Sequence, residues 1–259
     1  MLVGIALGTL GSGGSILTVP IMVYLMNIKA VDATGYSLFV VGLTSTFGGI
    51  NYIRKKLVDI NRAILFAVPS IISVFLTRVF IVPFIPNTIA TFSEFTLTKD
   101  LFIIIIFAML MIVVAFKMIQ SKEDKELESF IPAKSHFSSL IATGLFAGIF
   151  TGILGVGGGF IIIPALVLFA KTPVKMSVGT SLLIIATNSF MGFIGEVIAK
   201  GSSIDYSFLL VFSVFSISGI FIGSYLLSKI SSFMLKKIFG WFVLFIGISI
   251  LLKEIFFQK

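Results

Sequence analysis

The chain has 259 residues and no cysteine; 58% of it is apolar and 12% charged, where soluble domains average roughly 45–50% and 25%. Its 19 basic and 11 acidic side chains cannot cover a soluble protein of this size, and with a mean hydropathy of +1.17 the expected class is an all-α integral membrane protein. The net charge of +8 is gathered in short clusters between apolar runs, the pattern of topology-setting loops rather than of a nucleic-acid surface.

A span needs about 20 apolar residues, and eight segments qualify: roughly 1–28, 33–53, 62–85, 101–119, 137–170, 176–198, 206–228 and 235–256. The first has no basic residue before Lys29, so no cleavable signal is expected. It is too long for one helix and carries Gly8, Gly11, Gly13 and Gly14 in its middle; each costs about 1 kcal/mol in a helix interior, so the cluster predicts a break. In the second, Ser37, Thr44, Gly48 and Asn51 fall on one helical face. Arg78 interrupts the third, and Pro83 and Pro86 predict a helix ending beside it, within snorkelling reach of the interface. Residues 117–136 hold eight charges and His136, a solvated connector. The fifth segment repeats the glycine cluster at Gly152, Gly155, Gly157, Gly158 and Gly159. The sixth repeats the small-polar face with Ser181, Asn188, Gly192 and Gly195. Asp32 and Glu196, near segment ends, read as interface charges.

Residue n set beside n+144 aligns the halves without a gap. Gly4, Gly8, Leu10, Gly11, Gly13, Gly14 and Pro20 meet Gly148, Gly152, Leu154, Gly155, Gly157, Gly158 and Pro164, and Gly35, Ser37, Ser45 and Gly48 meet Gly179, Ser181, Ser189 and Gly192. The expected organisation is a membrane repeat over 1–119, a charged connector over 120–136 and a second repeat over 137–259. Duplicated halves with glycine-broken segments at matching positions point to a secondary transporter whose site lies at the breaks. The paired G-x-x-x-G-x-x-G-x-G-G motif, each copy followed six residues on by proline, resembles the TauE/SafE sulfite exporter family over nearly the whole chain. That resemblance implies a permease for sulfite, an organosulfonate or a related sulfur compound.

Charge selects between two layouts. Eight simple spans divide Lys and Arg 11 against 7, whereas re-entrant first and fifth segments divide them 13 against 5, Arg78 apart. The second layout satisfies the positive-inside rule, with three spans per half, inverted repeats, a cytoplasmic connector and both termini outside. The expected location is the plasma membrane.

At each break a half-helix begins, and its N–H groups suit an oxyanion. The candidate substrate residues are therefore Gly11, Ser12, Gly13, Gly14, Gly155, Gly157, Gly158 and Gly159, with Ser37, Thr44, Asn51, Ser181 and Asn188 as side-chain donors and Arg78 as a neutralising charge. An enzyme is not expected: there is no H-E-x-x-H, one histidine and no Asp deep in a segment. No cofactor or metal is implied, and the partners are a small anion and the lipid bilayer. A monoanion leaving a cell negative inside by 100 mV gains about 2.3 kcal/mol, so export needs no proton coupling.

Overall fold

A computed structural model describes residues 1–10, 13–92, 95–120, 137–155, 157–159, 162–163, 166, 172–200, 204–227 and 232–256. Residues 121–136 of the expected connector, and Pro164, lie outside them. Nine helices of eight residues or more are present among these: α1 Leu2–Leu10, α2 Gly13–Pro20, α3 Ala30–Arg54, α4 Ile60–Leu76, α5 Lys99–Gln120, α6 Phe137–Leu154, α7 Val174–Lys200, α8 Tyr206–Leu227 and α9 Ser232–Phe256. Three helical stretches, Ile60–Phe84, Met176–Ala199 and Tyr206–Leu226, are long and apolar enough to cross a membrane by length and composition.

Local chemistry sets the helix ends. Asp59 caps α4 by accepting the Arg62 N–H at 3.0 Å. The end of α3 closes with the Leu57 N–H on the Tyr52 carbonyl at 3.0 Å, across Lys56 at φ +56°. In keeping with the expected segment 62–85, α4 does not stop before Pro83. It continues through a π turn, Thr77–Ile81, into a last turn, Val82–Phe84, because a proline in the first turn of a helical segment forfeits no hydrogen bond. A two-stranded antiparallel hairpin, β1 Thr88–Phe92 and β2 Phe95–Thr98, then leads to α5. That element had no counterpart in the all-helical expectation.

The faces are sorted inside out. Along α4, Ile60, Ile64, Val68, Ile72, Leu76 and Phe80 recur every four residues and are exposed, while Ser70, Ser73, Thr77 and Arg78 are buried. An apolar stripe facing outward and hydroxyls facing inward suit a lipid solvent.

Close glycine contacts give the helix directions. A Cβ on Gly4 would meet Ser216, and one on Gly8 would meet Ile220, so α1 runs parallel to α8. Likewise Gly144, Gly148 and Gly152 meet Phe66, Ser70 and Val74, so α6 runs parallel to α4. Gly35 lies on Glu196, Gly42 on Ser189 and Gly49 on Leu183, which makes α3 and α7 antiparallel. Asn188 on Ser70 and Gly195 on Arg78 make α7 parallel to α4. Successive helices α6 and α7 therefore point the same way, and the chain between them must cross back. Gly158 packs over Thr151 and Ala147, eleven residues back, and Gly14 packs over Leu7 and Val3, also eleven back. A straight helix would separate such residues by about 16 Å, so the chain folds back on itself at both glycine clusters.

Candidate functional site

Helix α6 ends because Gly155, Gly157 and Gly158 take φ of +66°, +67° and +70°, values that cost other residues about 1–2 kcal/mol each. A helix end leaves carbonyls without intrahelical donors. Here two side chains from other helices supply them. Arg78 Nη1 donates to the Gly152 carbonyl at 2.9 Å, and the Ser37 hydroxyl donates to the Gly155 carbonyl. A cation at a helix C-terminus also complements the macrodipole.

The guanidinium holds four elements together. Nε lies 2.6 Å from Glu196 Oε2 on α7, Nη2 donates to Thr34 Oγ1 on α3 at 3.0 Å, Nη1 holds α6, and Arg78 itself belongs to the α4 continuation. Among the described residues Arg78 and Glu196 are the only buried charged side chains, 0% and 3% exposed. Two glycines make the room: a Cβ on Gly35 would lie 2.7 Å from the Glu196 carboxyl carbon, and one on Gly195 3.0 Å from the Arg78 Cβ. The expectations that Arg78 could snorkel and that Glu196 was an interface charge are both corrected, since the packing of α7 beside the α4 continuation buries Arg78 in the bundle opposite Glu196.

Beside the turn lies a second polar group. Ser189 Oγ lies 2.9 Å from where a Gly157 Cβ would stand, and Thr151 Oγ1 lies against the Cβ position of Gly158. Both hydroxyls are buried and have no hydrogen-bond partner among the described residues. Asn188, one residue from Ser189, donates to Ser70 Oγ at 2.7 Å and leaves its Oδ1 unpartnered. Unsatisfied buried polar atoms cost about 1–3 kcal/mol each, so the convergence of the Thr151 and Ser189 hydroxyls on a turn stripped of side chains reads as a cradle for a polar guest. The chain turns helical again at once, with the Ile162 N–H on the Gly158 carbonyl at 3.1 Å.

The remaining expected residues divide. Ser37, Arg78 and Gly155 meet at the tip of the fold-back, and Gly157, Gly158 and Asn188 line or flank the cradle; Gly159 is buried and opens the return helix. Gly14 packs against α1, and Gly13 opens α2. Gly11 and Ser12 lie outside the described residues. Thr44 and Ser181 spend their hydroxyls on their own helices, on the Val40 carbonyl at 2.6 Å and the Val178 carbonyl at 2.8 Å. Asn51 donates to Ser224 Oγ at 3.2 Å, about 21 Å along α3 from Ser37. Sequence reasoning missed Thr34, Ser70 and Thr151. Thr34 stands one turn before Ser37, a signal that was legible; isolated hydroxyls such as Ser70 and Thr151 carry none.

The family described as Sulfite exporter TauE/SafE matches residues 1–251. A probable membrane transporter protein of Xylella fastidiosa (strain 9a5c) is 26% identical over 257 residues, covering 98% of this chain and 92% of its own length. The probable membrane transporter protein YunE of Bacillus subtilis (strain 168) is 27% identical, with 82% of each chain covered. The probable membrane transporter protein MJ0441 of Methanocaldococcus jannaschii is 28% identical over 80% of this chain and 74% of its own. No solved structure matches the chain.

Proposed function

The chain belongs to the sulfite exporter TauE/SafE family, and on that premise we propose that it is a transporter that exports a small sulfur-containing anion, sulfite or an organosulfonate, across the plasma membrane by alternating access. The observation that carries this reading is the cradle at Gly157 and Gly158, where the buried hydroxyls of Thr151 and Ser189 have no hydrogen-bond partner among the described residues. Hydroxyl donors and the backbone N–H groups of a starting helix are the chemistry that takes a sulfur oxyanion out of water.

Two inverted repeats would provide the alternation, and the packing supports them. Gly4 on Ser216 and Gly8 on Ile220 correspond to Gly148 on Ser70 and Gly152 on Val74: residues of the first segments are related by 144, and those of α4 and α8 by 146. At the Gly152 carbonyl the donor is Arg78; at the Gly8 carbonyl it is the Tyr52 hydroxyl, at 3.3 Å. The helix directions likewise support the re-entrant layout. Asp59 and Arg62 bond Thr180 and Thr172 at one end, while Val31 bonds Asp100 and Lys253 lies over Tyr24 at the other. Chain connectivity then assigns 13 Lys and Arg to the first end and 5 to the second, which makes the first end cytoplasmic.

Purified protein in liposomes loaded with sulfite, sulfate or an organosulfonate tests the reading. Sulfite or sulfonate efflux should exceed that of protein-free vesicles, accelerate under an inside-negative potential and fall at least tenfold in Gly157→Leu. Absence of efflux for all three cargoes removes the assignment of sulfur anions.

A further inference from the structure

The Arg78–Glu196 pair is more than a brace. We propose that Arg78 is the cation that receives the transported anion and that Glu196 is its internal stand-in: the carboxylate occupies Arg78 in the empty carrier and must leave it for the anion to bind. The inference rests on the transport reading above and adds a mechanism of site occupancy to it.

The geometry carries it in three steps. First, the pair sits where a substrate charge would be needed, on the carbonyl of Gly152, six residues from the cradle glycine Gly158, and no other buried cation exists among the described residues. Second, a buried anion without a partner is costly, and one guanidinium does not neutralise two anions; a bound oxyanion and an Arg78-bound Glu196 are therefore alternatives. Third, Glu196 has somewhere to go. It lies four residues, or about 6 Å, from the last residue of α7, close enough for its carboxylate to turn out toward the aqueous boundary. Gly35 presents no Cβ to Glu196, whose Cγ and Cδ pack directly over it, so no side chain on α3 locks the carboxylate in place.

The opposite fold-back shows what a merely structural clasp looks like here. There Tyr52, at the position 144 residues before Glu196, holds the Gly8 carbonyl, and Asn51 holds Ser224. That clasp is neutral and has nothing for an anion to replace. The two ends would then differ in kind: one released by the anion itself, the other by rearrangement of uncharged hydrogen bonds.

Chemical rescue tests the stand-in directly. Thermal unfolding of the detergent-purified full chain would be followed during titration with sulfite and, separately, with acetate, which mimics the removed carboxylate. In Glu196→Ala, Arg78 lacks its partner, so either anion should stabilise the protein, with a midpoint concentration at least tenfold below that for wild type. Glu196→Gln, which keeps the side chain's shape, carries the same test with sulfite if the truncation does not fold. The double variant Arg78→Met, Glu196→Leu should fold and lose the anion response. Equal responses in wild type and both Glu196 variants, or a response retained in the double variant, would overturn the proposal. Liposome efflux is a separate readout: its absence in wild type refutes the transport reading, while the titration still decides whether Glu196 competes for Arg78.

Discussion

At the residue scale the protein concentrates its electrostatic risk in one guanidinium. Removing one member of a buried pair leaves the other uncompensated, which costs about 3–5 kcal/mol, whereas replacing both by apolar groups is often neutral. Arg78→Met should therefore lower the thermal midpoint sharply, and adding Glu196→Leu should restore most of it, as read by unfolding in detergent. The cradle hydroxyls behave oppositely. Thr151 and Ser189 satisfy no partner among the described residues, so Thr151→Val and Ser189→Ala should leave stability unchanged or slightly raised while reducing anion efflux at least tenfold. Destabilised variants with wild-type flux would mean the hydroxyls serve packing alone. Sequence spacing found Arg78, Ser37 and the glycines of this region. It misassigned Glu196, because the pair forms only through the packing of α4 and its continuation beside α7, which no local spacing shows.

At the element scale the two glycine clusters serve two purposes that the sequence alone does not separate. Gly4 and Gly8 are contact glycines: a side chain there would run into the α8 backbone at Ser216 and Ile220, so Gly8→Leu should separate α1 from α8 and lower the yield of folded protein. Gly157 is a conformational glycine, in the left-handed region with Ile185 and Ser189 at 2.8 and 2.9 Å from its missing Cβ. Even Gly157→Ala should cost about 1–2 kcal/mol from backbone strain, before any crowding is counted. The substitution would show as a lower unfolding midpoint; a midpoint equal to wild type would mean the turn relaxes. Thr44 and Ser181 were placed by spacing on a shared polar face, yet each bonds a carbonyl of its own helix. Periodicity gives a face but not the rotamer that decides whether a hydroxyl looks inward or back along the backbone.

At the scale of the whole molecule, a multi-pass helical membrane protein has its six long helices α3, α4, α5, α7, α8 and α9 arranged with two fold-backs between them. The native chain lacks cysteine, so single introduced cysteines report sidedness without background. Lys56→Cys and Asn87→Cys, at opposite ends of α4, should react with an impermeant thiol reagent from opposite faces of the membrane, Lys56→Cys only from the cytoplasmic side. Labelling of both from one face would sink the proposed topology.

The sequence by itself determined the membrane class, the positions of the apolar segments and the glycine motif that carries the family resemblance. These follow from composition and local spacing, which bilayer thickness and backbone energetics read directly. Loop charge already favoured fold-backs at both glycine clusters, and the tertiary structure supplied their contacts, Gly14 over Val3 and Gly158 over Ala147. It alone brought Arg78 of α4, Glu196 of α7, Thr34 of α3 and the end of α6 to one point, and left Thr151 and Ser189 facing a turn with no partner among the described residues. The contacts of Arg78 join residues 44 to 118 positions apart through helix directions and close glycine packing, and neither quantity is written in any local stretch of the chain.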